Sequence, residues 1–478
     1  MNNSILSDYY PRTNIHTYNI VENLQVTVTE TSNPFHIPVD ALFSMAARIN
    51  IKRSFLFVSK VLGKHIPVNP YTPLLSGAAL GLLLYRELNA GAADAELLEP
   101  LMAQAVHGLL HPEAAQEAYQ ALAAAQLVLP EPVLFIGFAE TATALGHSMY
   151  NIFAGNAAYI HTTREDIPEL ESVISFEEEH SHAVDHLCYA LKPELLSGKE
   201  PVILVDDEIT TGNTAINTIR DIHSKFPREE YVVASILDWR SGSNLDTYSQ
   251  LEQELGIRIR SLCLLQGSIE VKGTPDLGSG GYTEPAAPAA EAPLITTYVQ
   301  DGLERLKVCS KDSTGERNLA PYLKYSGRFG LVCQDNGELD RGVSSVAAQL
   351  SALREGAKAL VMGVGEFMYL PMRIAAEMGA GVSYQSSTRS PIHPDRREDY
   401  GVHSAEPHPS AGDPGIMNYI YNIDPGQYDD IFVLIEREVP AGRIQPLTAI
   451  LQRLARHKVH LIVLTPNLME GGPAHEQA

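Results

Sequence analysis

At 478 residues the chain has room for two to four domains of roughly 100–200 residues each. Hydrophobic residues at 45% and charged residues at 19% are ordinary for a globular protein and exclude a disordered or fibrous chain. With 35 Lys+Arg against 58 Asp+Glu, the net charge of -23 excludes nucleic acid and anionic membrane surfaces as bulk electrostatic partners. Ligands must therefore be met by local features.

The N-terminal MNNSILSDYYPRTN has no basic segment leading into an apolar one, so no secretory signal is expected. Two locally basic segments follow, Arg48 to Arg53 and a stretch containing Lys60, Lys64 and His65. The most apolar stretch, residues 74–84, contains glycines and is too short to span a bilayer. Residues 90–129 predict two helices broken near His111-Pro112. Apolar runs at 132–137, 157–160, 201–205 and 231–237 predict buried strands, with helical patterns at 142–153 and 214–225. Alternating strands and helices predict an α/β fold with a parallel sheet covered on both faces. Cys188, Cys263, Cys309 and Cys333 are too few and scattered for a disulfide scaffold or a cysteine zinc site. A cytoplasmic protein with reduced thiols is expected.

Residues 266–293, rich in Gly, Pro, Ala and Ser, are expected to be a linker between a first domain at 1–265 and a second at 294–478. The second half repeats blocks of the first in the same order. PVLFIGFAETATALG resembles KALVMGVGEFMYLPM, pairing Gly137 with Gly363 and Glu140 with Glu366. YIHTTRED resembles YQSSTRSP, pairing Thr163 with Thr388 and Arg164 with Arg389. VILVDDEITTGNT lies against FVLIEREVPAGRI, pairing Gly212 with Gly442. The nearly constant offset predicts a duplicated α/β unit whose second copy has diverged.

The most informative segment is Val-Ile-Leu-Val-Asp206-Asp207-Glu208-Ile-Thr210-Thr211-Gly212-Asn213-Thr214. Its apolar run makes a strand, and the Thr-Thr-Gly-Asn-Thr loop then opens a helix. Ligands of open α/β sheets bind outside such carboxyl ends. Backbone N–H groups, threonine hydroxyls and a helix N-terminus suit a monophosphate. The paired aspartates suit a vicinal diol. Together they suggest ribose 5-phosphate.

This segment resembles the phosphoribosyl-pyrophosphate (PRPP) signature of type I phosphoribosyltransferases, departing from it at Glu208, where the family carries an apolar residue. The resemblance implies that Asp206 and Asp207 hold the ribose hydroxyls and Thr210 to Thr214 the 5-phosphate. Whether Glu208 faces the site or a solvated edge is left open. Ala139, Glu140 and Thr141 fall where the family carries its pyrophosphate loop, and Arg164 falls where a guanidinium could clamp a phosphate or carboxylate. The run FEEEHSHAVDH is either a solvated acidic loop or the family's mobile lid, with His180 and His182 the candidates for proton transfer or pyrophosphate contact. In the family the region before the core forms a hood over the acceptor.

The motifs IGFAETATALG, YIHTTRE, FEEEHSHAVDH, VDDEITTGNT and ILDWRSG, followed by Thr388-Arg389-Ser390-Pro391, resemble orotate-phosphoribosyltransferase-like proteins with a C-terminal TRSP domain. That family occurs in bacterial tellurium-resistance and stress gene clusters. The resemblance implies a type I phosphoribosyltransferase fold followed by a diverged α/β domain of related fold. It also implies Mg²⁺-dependent attack of a nitrogenous acceptor on C1 of PRPP, release of pyrophosphate, and a nucleoside-like product. A PRPP-binding sensor and a PRPP-synthetase-like tandem are the alternatives. In the second copy Glu436 and Arg437 replace the paired aspartates and Pro440 a loop threonine, so PRPP binding of the usual kind is not expected there. That domain is expected to act as a dimer-like partner surface, within one chain or in a homo-oligomer, or to hold its own site at Gly363, Glu366, Thr388, Arg389 and Ser390.

Overall fold

The computed structural model describes residues 14–49, 53–89, 92–176, 186–275, 277, 291–299 and 302–467. Its organising strand is Val202–Ile209, whose first four residues are fully buried. A strand that is apolar on both faces must be covered on both, which places it in the middle of a sheet. Glu230–Asp238 and Leu127–Gly137 flank it, with Arg258–Lys272 and Phe153–His161 beyond, all parallel. The antiparallel hairpin of Ile15–Val21 and Leu24–Ser32 extends the sheet past Arg258–Lys272.

The apolar stretch at 74–84 is the centre of the helix Tyr71–Leu88, buried against this sheet, and among the described residues no helix is long and apolar enough to cross a membrane. The helices Ala92–Leu110 and Ala115–Ala124 are separated by a turn at Pro112–Ala114, close to the expected break.

One boundary differs from expectation. Residues 266–272, assigned to the linker by composition, continue the strand Arg258–Lys272 and pair with Leu24–Ser32 from Gln266 to Lys272. Ser268-Ile-Glu-Val-Lys272 alternates apolar and polar residues, the period of a strand with one face in water. Residues 276 and 278–290 lie outside the described residues.

The second sheet is parallel throughout, in the order Leu294–Tyr298, Lys458–Thr465, Asp430–Arg437, Ala359–Gly363, Val382–Ser386. Its last four strands follow the spatial order of Glu230–Asp238, Val202–Ile209, Leu127–Gly137 and Phe153–His161 in the first. The helices Ala142–Tyr150 and Tyr369–Glu377 follow corresponding strands, as do Asn213–Lys225 and Ala441–Leu454. Each unit also places an antiparallel hairpin before its central strand. In the first this is Ile174–Phe176 with His186–Cys188; in the second it is Ala405–Pro409 with Met417–Tyr421.

The two units are packed together. Leu331–Val332 adds antiparallel to the outer edge of Phe153–His161. In return, Val68 exchanges both backbone hydrogen bonds with Tyr384, on the edge strand of the second sheet, and Gly63 accepts from Ser386. The corresponding helices meet where the His147 ring stacks on Tyr369, with centroids 3.5 Å apart. Arg328, 2% exposed, lies 2.7 Å from Glu436, 3.2 Å from Glu366 and 3.9 Å from Glu165, joining acids of both units.

Two predictions follow from this packing. Removing one partner of a buried ion cluster leaves the others uncompensated, so Arg328→Met is expected to cost about 3–5 kcal/mol, measured by urea unfolding. His65 and His147 are buried with both ring nitrogens unpartnered. Burial, then Lys64 and Arg48, pushes His65 well below its ordinary pKa; burial, then His161 and Arg373, does so for His147. Below about pH 6.5 the unfolded chain binds protons that the folded chain refuses, so stability falls as pH falls through that value. The urea midpoint should drop below pH 6.5, with a shallower slope in His147→Phe.

Candidate functional site

Strand alternation sends Asp206 and Glu208 to one side of Val202–Ile209 and Asp207 to the other. Asp206 and Glu208 line a cavity of about 180 Å³ with Phe138, Ile209, Val233 and the loop Thr210, Thr211, Gly212, Asn213 and Thr214. Asp207 is not in that wall. Its backbone N–H donates to Asp206 Oδ1 at 2.9 Å.

The loop owes its shape to Gly212, whose φ of +79° is left-handed and which caps the helix Asn213–Lys225. A Cβ there would lie 2.4 Å from the Tyr248 hydroxyl, which donates to the Gly212 carbonyl at 2.9 Å. Tyr248 lies beneath the Arg240 guanidinium, 4.4 Å from the ring centroid, and Arg240 pairs with Asp238 at 2.6 Å with both side chains 1% exposed. The Asp238-Trp-Arg240 segment is thus the buttress of the loop. N–H groups in the first turn of a helix lack intrahelical acceptors, and the helix dipole there favours an anion.

The question left open at Glu208 is answered by its partner. Its carboxylate faces the cavity and lies 2.5 Å from the Arg53 guanidinium. Burial pushes the Glu208 carboxyl up, and Arg53 opposes that. Arg53 lies over the Phe55 and Phe57 rings at 4.7 and 5.7 Å, and Phe57 stacks on Trp239. An extra acid in the strand thus ties the N-terminal segment to the cavity wall.

Ala139, Glu140 and Thr141 form the turn after Leu127–Gly137, beside Phe138 in the cavity wall. The peptide between Ala139 and Glu140 is cis. The Ala139 N–H donates to Thr162 Oγ1 at 2.9 Å, which also contacts His186 Nδ1 at 2.9 Å. Lys64 donates through its ammonium to Thr141 Oγ1. Of the basic candidates Lys64 therefore reaches this turn, whereas Lys60 donates to the Asp40 carbonyl at 2.8 Å and His65 is buried. Glu140 has a buried Oε1 without a partner.

Other expected residues lie elsewhere. Arg164 lines a second cavity of about 150 Å³ with Arg389, Glu366 and Arg437, because the strand bearing it ends on the side facing the second domain. Thr163 donates to Glu366, and the Arg164 N–H approaches the same carboxylate at 3.4 Å. Gly363 makes the tight turn before Glu366; a Cβ there would meet the Phe367 carbonyl at 2.4 Å. Thr388 is fully buried and accepts from the Ser390 N–H at 3.2 Å, and neither lines a described cavity wall. His180 and His182 lie outside the described residues. Among the described residues no three or more His, Cys, Asp or Glu side chains gather as a metal cage.

Arg53, Tyr248 and Arg328 were not singled out from the sequence. Arg53 lay within a basic segment already noted, but the contacts of the other two are set by tertiary packing. A left-handed residue with a Cβ costs about 1–2 kcal/mol, so Gly212→Ala should lower stability by at least that, measured by urea unfolding. Tyr248→Ala, which removes both the hydroxyl and the ring carbons that a Cβ would meet at 2.4 and 2.8 Å, should make the same substitution cheaper in a double-mutant cycle.

The sequence matches the family described as phosphoribosyl transferase (PRTase_2) over residues 42–268, and residues 325–451 match the TRSP domain C-terminal to PRTase_2. Comparison with curated proteins gives no match. Among solved structures, adenine phosphoribosyltransferase from Trypanosoma brucei matches with 16% identity over 38% of this chain and 78% of its own, at a TM-score of 0.26. The enzyme from Giardia lamblia matches with 16% identity over 34% and 84%, at 0.23. Orotate phosphoribosyltransferase from Aeropyrum pernix matches with 14% identity over 31% and 73%, at 0.19.

Proposed function

Because the chain belongs to the phosphoribosyl transferase family that carries a C-terminal TRSP domain, we propose that it transfers ribose 5-phosphate from PRPP to a nitrogenous acceptor. The observation carrying this reading is one cavity lined by Asp206, Glu208 and the Thr210-to-Thr214 loop at a helix N-terminus. A phosphate anchor and the Asp206 carboxylate, within one small cavity, suit the two ends of a ribose 5-phosphate.

In this reading the loop N–H groups and the Thr210, Thr211 and Thr214 hydroxyls hold the 5-phosphate. Asp206 and Asp207 accept from the 2- and 3-hydroxyls, Asp207 from the far side of the strand end. The turn at Ala139, Glu140 and Thr141, steadied by Lys64, faces the pyrophosphate. The bond from C1 to the pyrophosphate oxygen breaks, the oxygen keeping the electron pair. A new bond forms from the acceptor nitrogen to C1, and that nitrogen gives its proton to the departing pyrophosphate. Positioning and exclusion of water supply the rate, the second through the Arg53–Glu208 closure.

The donor set near the cavity is hard carboxylate oxygen without a preformed cage, which suits Mg²⁺ carried in on pyrophosphate and ribose oxygens, with Asp206 or Asp207 as protein contacts. When bound there, Mg²⁺ would neutralise charge on the leaving pyrophosphate. The product assigned is a nucleotide-like N-glycoside on the way to a nucleoside-like stress metabolite. The repeated strand order supports the second domain as a degenerate copy standing where a partner subunit would, an intramolecular pseudo-dimer.

Mixing the protein with PRPP, Mg²⁺ and candidate bases should release pyrophosphate. Asp206→Asn with Asp207→Asn should abolish that release and weaken PRPP binding by at least about 100-fold, the loss of two hydrogen bonds to charged groups, with an unchanged urea midpoint. Unchanged PRPP affinity in the double variant would overturn the diol assignment.

A further inference from the structure

The reaction above makes no use of the 150 Å³ cavity between the units. It lies at the carboxyl ends of three strands of the second sheet, against the first unit. Its walls come from the turn after Ala359–Gly363, the end of Val382–Ser386 and the end of Asp430–Arg437, closed on the far side by Arg164 and Glu165. The space outside the carboxyl ends of parallel strands is where open α/β sheets take ligands.

The balance of donors and acceptors in its wall indicates the ligand. All five acids are occupied. Glu436 accepts from Arg328 at 2.7 Å and the Leu323 N–H at 3.0 Å, and Glu366 accepts from Arg328 at 3.2 Å and from Thr163. Asp413 accepts from the Ser313 hydroxyl at 2.6 Å and Asp312 pairs with Arg443 at 2.8 Å. Glu165 accepts from the Tyr322 hydroxyl. Arg437 is likewise committed, donating to the Ala320 and Asn318 carbonyls at 2.8 and 2.6 Å. The groups left over are cationic donors. Among the described residues, Arg389, half-exposed, and Lys311, exposed, have no side-chain hydrogen bond or ion pair. Asn418 lines the cavity at 2% exposure with its Oδ1 unpartnered. The other end of that amide carries two N–H donors.

We propose that this cavity is a second ligand site, taking the phosphoryl or carboxylate group of a small organic anion on Arg389, Lys311 and Asn418. A ribose diol has no counterpart here, because Glu436 is spent on Arg328. An adjoining pocket of about 370 Å³, sharing Ser310, Asp312 and Asn318 with the cavity, leaves room for the body of the molecule.

The test is calorimetric titration of the full chain with inorganic phosphate and, separately, malonate, in wild type, Arg389→Ala, Arg389→Lys and Asn418→Ala. Arg389→Ala should lose one bound anion or weaken it at least about 10-fold, the scale of one charge-assisted hydrogen bond. Arg389→Lys should retain part of the affinity and Asn418→Ala should weaken it. The PRPP affinity and the urea midpoint in anion-free buffer should stay at wild-type values in Arg389→Ala. Binding of malonate alone, dependent on Arg389, would support the site and assign it to carboxylates. Equal affinity and stoichiometry of Arg389→Ala and wild type for both anions would overturn the proposal, whatever the outcome for PRPP.

Discussion

A guanidinium with almost no access to water cannot stay charged without partners, and Arg328 finds three, in carboxylates drawn from both units. Burial works against its charge, and Glu436, Glu165 and Glu366 together outweigh that. The geometry that satisfies all of them fixes the two sheets relative to one another. It also fixes Glu366 against Thr163, at the end of a first-sheet strand. The adjacent Thr162 holds the Ala139 N–H, so the turn beside the first cavity is connected to the same cluster by successive hydrogen bonds.

That cluster also explains the asymmetry of the repeat. The position that carries Asp206 in the first unit carries Glu436 in the second, where it pairs with Arg328. Its neighbour Arg437 lies 3.9 Å over the Tyr322 ring and is spent on carbonyls. The second sheet shares the strand order of the first, while the polar ends of its strands hold the first unit. A chain of net charge -23 still places cations at both cavities, Lys64 beside the first and Arg389 in the wall of the second.

The parallel core was legible because its strands are unbroken apolar runs, and the loop after Val202–Ile209 because its residue types have few other uses together. The matching strand order agrees with the pairing of Gly137 with Gly363 and Thr163 with Thr388, though the matching hairpins left no sequence trace. Composition misjudged residues 266–272, where a weak alternation completes a strand beside Leu24–Ser32. The side to which Arg164 turns was not legible at all, since a residue at a strand end takes its direction from what packs there. Glu208 looked like a departure until Arg53, more than 150 residues away in the chain, supplied its reason.

The exchanged edge contacts bear on how far the halves are separable. An uncovered strand edge is a template for pairing with other chains, and proteins blunt such edges by covering them. Here Leu331–Val332 covers Phe153–His161, and the segment from Gly63 to Val68 covers Val382–Ser386. Each unit therefore guards the other against edge-on aggregation. Cut apart, both would expose a fresh β edge, so the two units, for all their internal likeness, are not interchangeable modules but one solubility unit.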